Sequence, residues 1–187
     1  VGEVKIIGYT GTAGNLGFTI NSDAINYDSH VGYILSGSAG PYNFAQTDSL
    51  TVVVDKNPTN NTFIINFGLE GIVTTGDGVA PYNTFVANIN SISQNFNLKF
   101  TKNDDLKDFK VIWTTGANIG ITSTISTYNA TTGTIILVSG LASAIAVSDK
   151  FYIIPATAKN VVTYLNTDVV SSLITKADIA LSNSGTL

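Results

Sequence analysis

Between Phe109 and Pro155 apolar and polar positions alternate, and each break in the alternation is a cluster of turn-forming residues. Phe109, Val111 and Trp113 fall on one face at period two, the spacing of a strand that buries one side. Thr115-Gly116-Ala117-Asn118 ends that run and Asn129-Ala130-Thr131-Thr132-Gly133 ends the next. Gly supplies positive φ and Asn bonds its own backbone, so both clusters read as turns between strands rich in β-branched and aromatic residues. A strand ending at Val138, a further apolar run and a closing segment from Ser148 to Pro155 complete one small β module.

Upstream the signals are sparser. Short strands are expected at Val4 to Ile7, Phe18 to Asn21 and Tyr33 to Ser36, with a Gly-rich turn at Gly11 to Gly17 and a loop at Gly37 to Asn43. Ser49 to Asp55 and Thr62 to Phe67 form a hairpin across the Asn- and Pro-rich turn Lys56 to Asn61, and Gly68 to Ala80 reads as a loop. The period then changes. Phe85, Ile89, Ile92 and Phe96 recur at spacings of four, three and four, which predicts a helix over Thr84 to Phe96 capped by Asn83 or Thr84. Its expected partner is the hairpin face carrying Leu50, Val52 and Val54. Val161 to Leu165 and Val169 to Ile174 could be strands or one helix, and strands are favoured because β-branched residues dominate. No internal repeat stands out; Pro41-Tyr42-Asn43 recurs as Pro81-Tyr82-Asn83, but the flanks differ.

The pattern therefore predicts a mainly β fold of two small β-sandwich or β-barrel-like modules, with one amphipathic helix packed on the first. Residues 1–100 form the N-terminal module with a helix near 84–96, 101–108 an acidic connection, and 109–187 the C-terminal module. Thr175 to Leu187 reads as a strand, a turn and the start of a returning strand, and position 1 is Val, so the chain is expected to be a piece of a longer polypeptide whose C-terminal module continues.

Composition sharpens the class. Of 187 residues 44% are hydrophobic and only 12% charged, about half the roughly 25% of an average soluble domain. The surface must be covered by Thr, Ser, Asn and Gly, which suits a subunit packed among copies of itself; extracellular modules share this composition. Nine Lys plus Arg and a net charge of −4 make no basic patch, which argues against nucleic acid as partner. No run of eighteen apolar residues and no signal-peptide pattern at Val1 to Lys5 point to a membrane. With no Cys, disulfides and thiolate metal sites are excluded.

Candidate chemistry is scarce. His30 is the only histidine and sits in the polar stretch Tyr27 to His30, so it reads as a loop residue rather than the anchor of a triad or a metal site. Asn103, Asp104, Asp105 and Asp108 could gather Ca²⁺ but lack the spacing that bends a chain around the ion, so a solvated acidic connection is the better reading. Gly8 to Gly17 superficially resembles a phosphate loop, yet no Gly-Lys-Ser/Thr follows, and a β-turn is expected. Asn60-Asn61-Thr62 and Asn129-Ala130-Thr131 match the glycosylation triplet inside predicted hairpin turns, where Asn is wanted for its backbone geometry. Trp113, Tyr128, Phe151 and Tyr152 could form a sugar platform, but the alternation at Phe109, Val111 and Trp113 assigns them to a core. No catalytic, cofactor-binding or metal-ligating residue is expected, and no cofactor.

Thr114 to Gly120, Tyr128 to Ile135 and Ala146 to Pro155 together resemble a strand-and-turn style found in structural proteins of tailed bacteriophage virions, over about a quarter of the chain. Ser148 stands where that style has a glycine before Asp149, the residue that favours positive φ. Asp48 to Asp55 with Ala87 to Asn90 also looks like a unit of phage and flagellar filament proteins. The resemblance implies a virion component such as a capsid decoration, fibre or tail-associated protein, with copies of itself and other virion proteins as partners. It implies a homo-oligomer assembled in the host cytoplasm, without nucleic acid, membrane or catalysis. A secreted or cell-surface adhesin module binding a glycan or host protein is the alternative, and a hydrolase on a β scaffold a weaker third, since the titratable groups are few and isolated. Few protective charges guard the strand edges, so neighbouring subunits are expected to cover them by strand addition, burying more than about 1,000 Å².

Overall fold

A computed structural model describes residues 4–9, 11, 25–27, 31–33, 42–54, 62–91 and 100–166. The fold is mainly β. β1 (Val4–Tyr9), β2 (Ile25–Tyr27), β3 (Val31–Tyr33), β4 (Ser49–Val54) and β5 (Thr62–Asn66) are followed by β6 (Leu69–Thr75), β7 (Thr84–Ser91), β8 (Lys110–Trp113), β9 (Thr122–Asn129), β10 (Thr134–Leu137), β11 (Lys150–Ile154) and α1 (Ala158–Leu165). β6 to β11 close an antiparallel barrel in the order β10-β7-β6-β11-β8-β9. β1, β4 and β5 form a separate three-stranded sheet, and β2 pairs with β3.

The barrel fills because alternate residues of every strand point inward. Val111 and Trp113 from β8, Ile125 from β9, Ile135 and Leu137 from β10, Phe151 and Ile153 from β11, Leu69 and Val73 from β6 and Phe85 from β7 are all buried. Phe85, Trp113 and Phe151 meet as tilted or edge-on rings with centroids 5.2 to 5.4 Å apart. Trp113 Nε1 lies among them, buried without a hydrogen-bond partner.

Two expected elements change identity here. The predicted loop at 68–80 contains β6, and the first eight residues of the predicted helix at 84–96 are β7; residues 92–96 lie outside the described part. A spacing of four, as between Phe85 and Ile89, keeps one face in a strand as well as in a helix. The residues between decide it: Phe85 and Ala87 are buried while Thr84 and Asn88 are exposed, which is alternation by two. Asn83 and Thr84 cap no helix; the Asn83 carbonyl accepts from the Leu137 amide, and the Thr84 amide donates to Asp77. In β6 Gly71 masks the strand signal. Gly71 faces inward against the Phe151 ring, where a larger side chain would collide.

The helix of this fold is α1. It occupies residues 161–165, where strands were expected; 169–174 lie outside the described residues. Val161, Tyr164 and Leu165 are buried at the i, i+3, i+4 spacing of one helix face, and Thr157 and Asn160 close a capping box over its first turn. Burial of that face outweighs the β preference of Val161, Val162 and Thr163. α1 lies against the first sheet: the Tyr164 hydroxyl donates to the Asn66 carbonyl at the end of β5, and its ring packs 5.5 Å from that of Phe67. The hairpin expected between residues 49 and 67 is present as β4 and β5, with Leu50 and Val52 buried.

The boundary expected at 101–108 falls inside the barrel, which takes β6 and β7 from before it and β8 to β11 from after. A different division emerges from strand register. Lys5 and Ile6 of β1 pair with Val53 and Val52 of β4, and Lys110 and Val111 of β8 pair with Ile154 and Ile153 of β11. Beside β4, β5 pairs Ile65 with Leu50 and Asn66 with Ser49; beside β11, β6 pairs Gly71 with Phe151 and Ile72 with Lys150. Both central strands start one residue after an Ala-x-x-Asp turn. Ala45-Gln46-Thr47-Asp48 and Ala146-Val147-Ser148-Asp149 make the same two bonds, the first amide to the Asp carboxylate at 2.9 Å and the Asp amide to the first carbonyl at 3.2 Å. The Asp48 carbonyl then accepts from Phe67 and that of Asp149 from Val73, both at 2.9 Å. Gly11 after β1 and Gly116 after β8 lie against these carboxylates, both with positive φ. A hairpin, β2–β3 or β9–β10, follows in each case. The first module (β1 to β4) and the second (β8 to β11) thus share the register and the turn of their central strands, while β9 and β10 are built into the barrel and β2 and β3 form a sheet of their own.

Candidate functional site

One end of the barrel is built from three segments: residues 76–83 between β6 and β7, 114–121 between β8 and β9, and 138–149 between β10 and β11. β10 and β11 lie on opposite sides of the barrel, so 138–149 crosses its mouth. Buried Ile145 closes the opening and bridges to Asp77. Asn118, also buried, donates its side-chain amide to the Ser143 and Ala144 carbonyls, and Leu141 donates its amide to the Tyr82 carbonyl. The loops are thereby held to one another.

The carboxylates of this end serve the same purpose. Asp77 accepts from the amides of Thr84 and Val79 at 2.9 and 3.1 Å. The Thr84 amide holds its carboxyl below the usual carboxylate range; slight burial opposes this, and the Val79 and Asn83 amides reinforce it. Asp149 is buried and accepts from Ala146. Ser148 has φ 73, so the position where the resemblance has glycine adopts the left-handed turn, with serine carrying its strain.

Aliphatic side chains project from this cap. Val79 is 76% exposed, Ile119 65%, Val138 63%, Val147 61% and Ile121 49%. Ile64 is the one large exposed hydrophobic elsewhere among the described residues. A recess of about 300 Å³ lies beside them, lined in part by Ile121, Ser139 and Leu141.

At the opposite end the acidic segment keeps Asn103, Asp104 and Lys107 exposed, but it is pinned to the barrel rather than free. Asp105 accepts from the Lys102 amide, Asp104 from Tyr128 and Asn103 from Ala130, while the Asp108 amide donates to the Ile125 carbonyl. These bonds fasten the segment to the β9–β10 hairpin. Beneath it Phe100, Leu106 and Phe109 are buried. Burial, and secondarily the Asp105 carboxylate, push the Tyr128 phenol up. Beside it a cavity of about 500 Å³ is lined by residues including Ile89, Phe100, Thr101, Tyr128 and Thr132.

The other sequence candidates resolve individually. Trp113 and Phe151 belong to the barrel core and Tyr128 is buried, with Tyr152 half-buried. Asn129 accepts through Oδ1 from the Thr131 and Thr132 amides, the turn role expected of it. His30, Asn60, Asn61 and most of Gly8 to Gly17 lie outside the described residues. Among those described, no group of three or more His, Asp or Glu is placed to hold a metal ion, and no helix is long and apolar enough to cross a membrane. The loop-capped end was not singled out by sequence reading. Its signal was Val79, Ile119, Val138 and Val147, each in a turn segment where polar residues are the norm. In comparisons with protein families, curated proteins and solved structures, nothing matches this chain.

Proposed function

We propose that this chain is a structural component of a tailed-bacteriophage virion that acts by packing against copies of itself and other virion proteins, not by catalysis. One observation carries the reading. The three segments that resemble virion proteins are consecutive parts of the second module, and Ser148, at the resemblance's glycine position, has φ 73. The use of the acidic side chains supports it: Asp48, Asp77, Asp105 and Asp149 accept backbone amides within turns and loops, and Asp104 accepts one from β9 that ties two segments together. A rigid scaffold with exposed aliphatics at one end suits assembly, and strand addition between subunits remains part of the proposal.

The test is location and assembly state. Antibody raised against the chain should label tailed particles at regularly repeated positions, and the concentrated chain should form assemblies burying more than about 1,000 Å² per contact. Label confined to the surface of cells, with a chain that stays monomeric, would overturn the reading in favour of an adhesin.

A further inference from the structure

We propose that the open edge of β7 is a strand-addition slot, which takes one extended, uncharged segment of a partner protein and joins it to the barrel sheet. The inference deepens the assembly reading above and rests on it, by naming where a neighbour's strand enters. It starts from two strands of unequal length. β7 pairs with β6 from Val86 to Ser91, but β10 meets it only from Thr84 to Val86. One further bond, from the Ala87 amide to the Gly133 carbonyl, ends the β10 side where the chain enters the β9–β10 hairpin turn.

Backbone groups alternate between the two sides of a strand. The Ala87 amide points to β10, so the amides and carbonyls of Ile89 and Ser91 point the same way, and no described residue pairs with them on that side. The groups of Asn88 and Asn90 face β6 instead, opposite Ile72 and Glu70. The barrel is closed in strand order, yet β7 keeps an open edge from Ile89 to Ser91.

The cavity of about 500 Å³ lies along this edge. Its far side is Phe100 and Thr101, held by the bond from the Tyr128 hydroxyl to the Phe100 carbonyl, and its end is the turn from Ala130 to Gly133. A residue in a sheet occupies roughly 3.4 by 4.8 by 10 Å, about 160 Å³, so the space admits about three residues of one strand. Main-chain groups on an open edge recognise any extended backbone, and the adjoining side chains select its sequence. Here the described lining carries no charge: Ile89, Phe100 and Tyr128 supply apolar surface, and Thr101, Thr131 and Thr132 neutral hydroxyls. A charge placed there would lose hydration without gaining a partner. The occupant is therefore a neutral strand with small or β-branched side chains. It comes from a different protein, because every described strand of this chain is already paired in a sheet. A second copy would bring an occupied sheet edge to a space that fits one free strand.

Nuclear magnetic resonance of the full chain tests this, with the synthetic peptide acetyl-Thr-Val-Thr-Val-Thr-amide as the probe. In the dilute chain the Ile89 amide should exchange with solvent much faster than the bonded Ala87 amide. Millimolar peptide should shift the Thr101 and Thr132 amide signals, and at ten times its dissociation constant it should slow exchange at Ile89 about tenfold. The same peptide with Asp at its centre should do neither. Ile89→Pro removes the edge donor but no bond to β6 and should abolish the response, whereas Ile89→Ala keeps the donor and should retain it. The thermal transition shows whether each variant folds; should Ile89→Pro not fold, exchange at Ile89 in the parent chain decides alone. An Ile89 amide already protected in the dilute chain would show the edge covered from within, and protection that rises with chain concentration alone would assign it to a second copy. Either result overturns the proposal, as does indifference to the neutral peptide or an equal response to the charged one. Antibody labelling of particles does not depend on this edge, so the virion reading would then stand or fall separately.

Discussion

The Phe151 ring occupies the space that a β-carbon on Gly71 would need. The two residues face each other across β6 and β11, and a Cβ built on Gly71 would lie 2.2 Å from Cε2 and Cζ of the ring. The glycine that makes β6 hard to recognise is thus what admits the largest buried side chain of β11 to the barrel.

Gly71→Ala should therefore destabilise the protein by about 1–3 kcal/mol, the range for overpacking a filled core. Gly71→Ala with Phe151→Leu should lose less than the sum of the single changes, because the smaller side chain makes room. Denaturant unfolding of the four proteins measures the coupling; strict additivity would show that the two residues do not compete for space.

Ser148 adopts φ 73 with a side chain that disfavours it. Ser148→Gly should remove a left-handed penalty of roughly 1–2 kcal/mol and add back roughly 0.5–1 kcal/mol of unfolded-state entropy. The expected result is a small rise in thermal midpoint. Ser148→Val should lower it, and if Val is tolerated as well as Gly the turn is not left-handed in solution.

Asp48 and Asp149 hold equivalent turns at the starts of β4 and β11, and both are buried. Replacing either with Ala strands the part-buried amide of Ala45 or Ala146 and should reduce stability by about 1 kcal/mol. Asn, which keeps an acceptor oxygen, should recover part of each loss. Unequal responses at the two positions, with only one sensitive to Ala, would count against their equivalence.

Burial pushes the Tyr164 phenol well above its ordinary value. A folded-state pKa raised above the unfolded one contributes stability that is complete below the unfolded value and lost as pH rises towards the folded value. Stability should therefore fall above pH of about 10, where the unfolded chain's tyrosines begin to ionise. Spectrophotometric titration should find one of the eight tyrosines resistant until unfolding. Tyr164→Phe should remove that resistance signal and, by leaving the Asn66 carbonyl unpartnered, lower stability at neutral pH by about 1 kcal/mol. A Tyr164→Phe variant that titrates like the parent would refute the assignment.

The sequence by itself determined the mainly β class, the strands and turns between Phe109 and Pro155 and the β4–β5 hairpin, because alternation by two and the turn chemistry of Gly and Asn are local properties. It also placed Trp113 and Phe151 in the core, since their neighbours at period two are apolar. Tertiary structure alone decided β6, β7 and α1. Gly71 is intelligible only beside Phe151, the four-residue spacing of Phe85 and Ile89 is shared by helix and strand, and the β-branched residues of α1 yield to burial of Val161, Tyr164 and Leu165. The shared register of β1, β4 and β5 and of β8, β11 and β6 was likewise hidden, because register leaves little trace in identity when any apolar side chain fills an inward position. The same holds for the apolar end of the barrel: Val79, Ile119, Ile121, Val138 and Val147 are scattered along the chain, and only closure of the barrel brings their loops to one end.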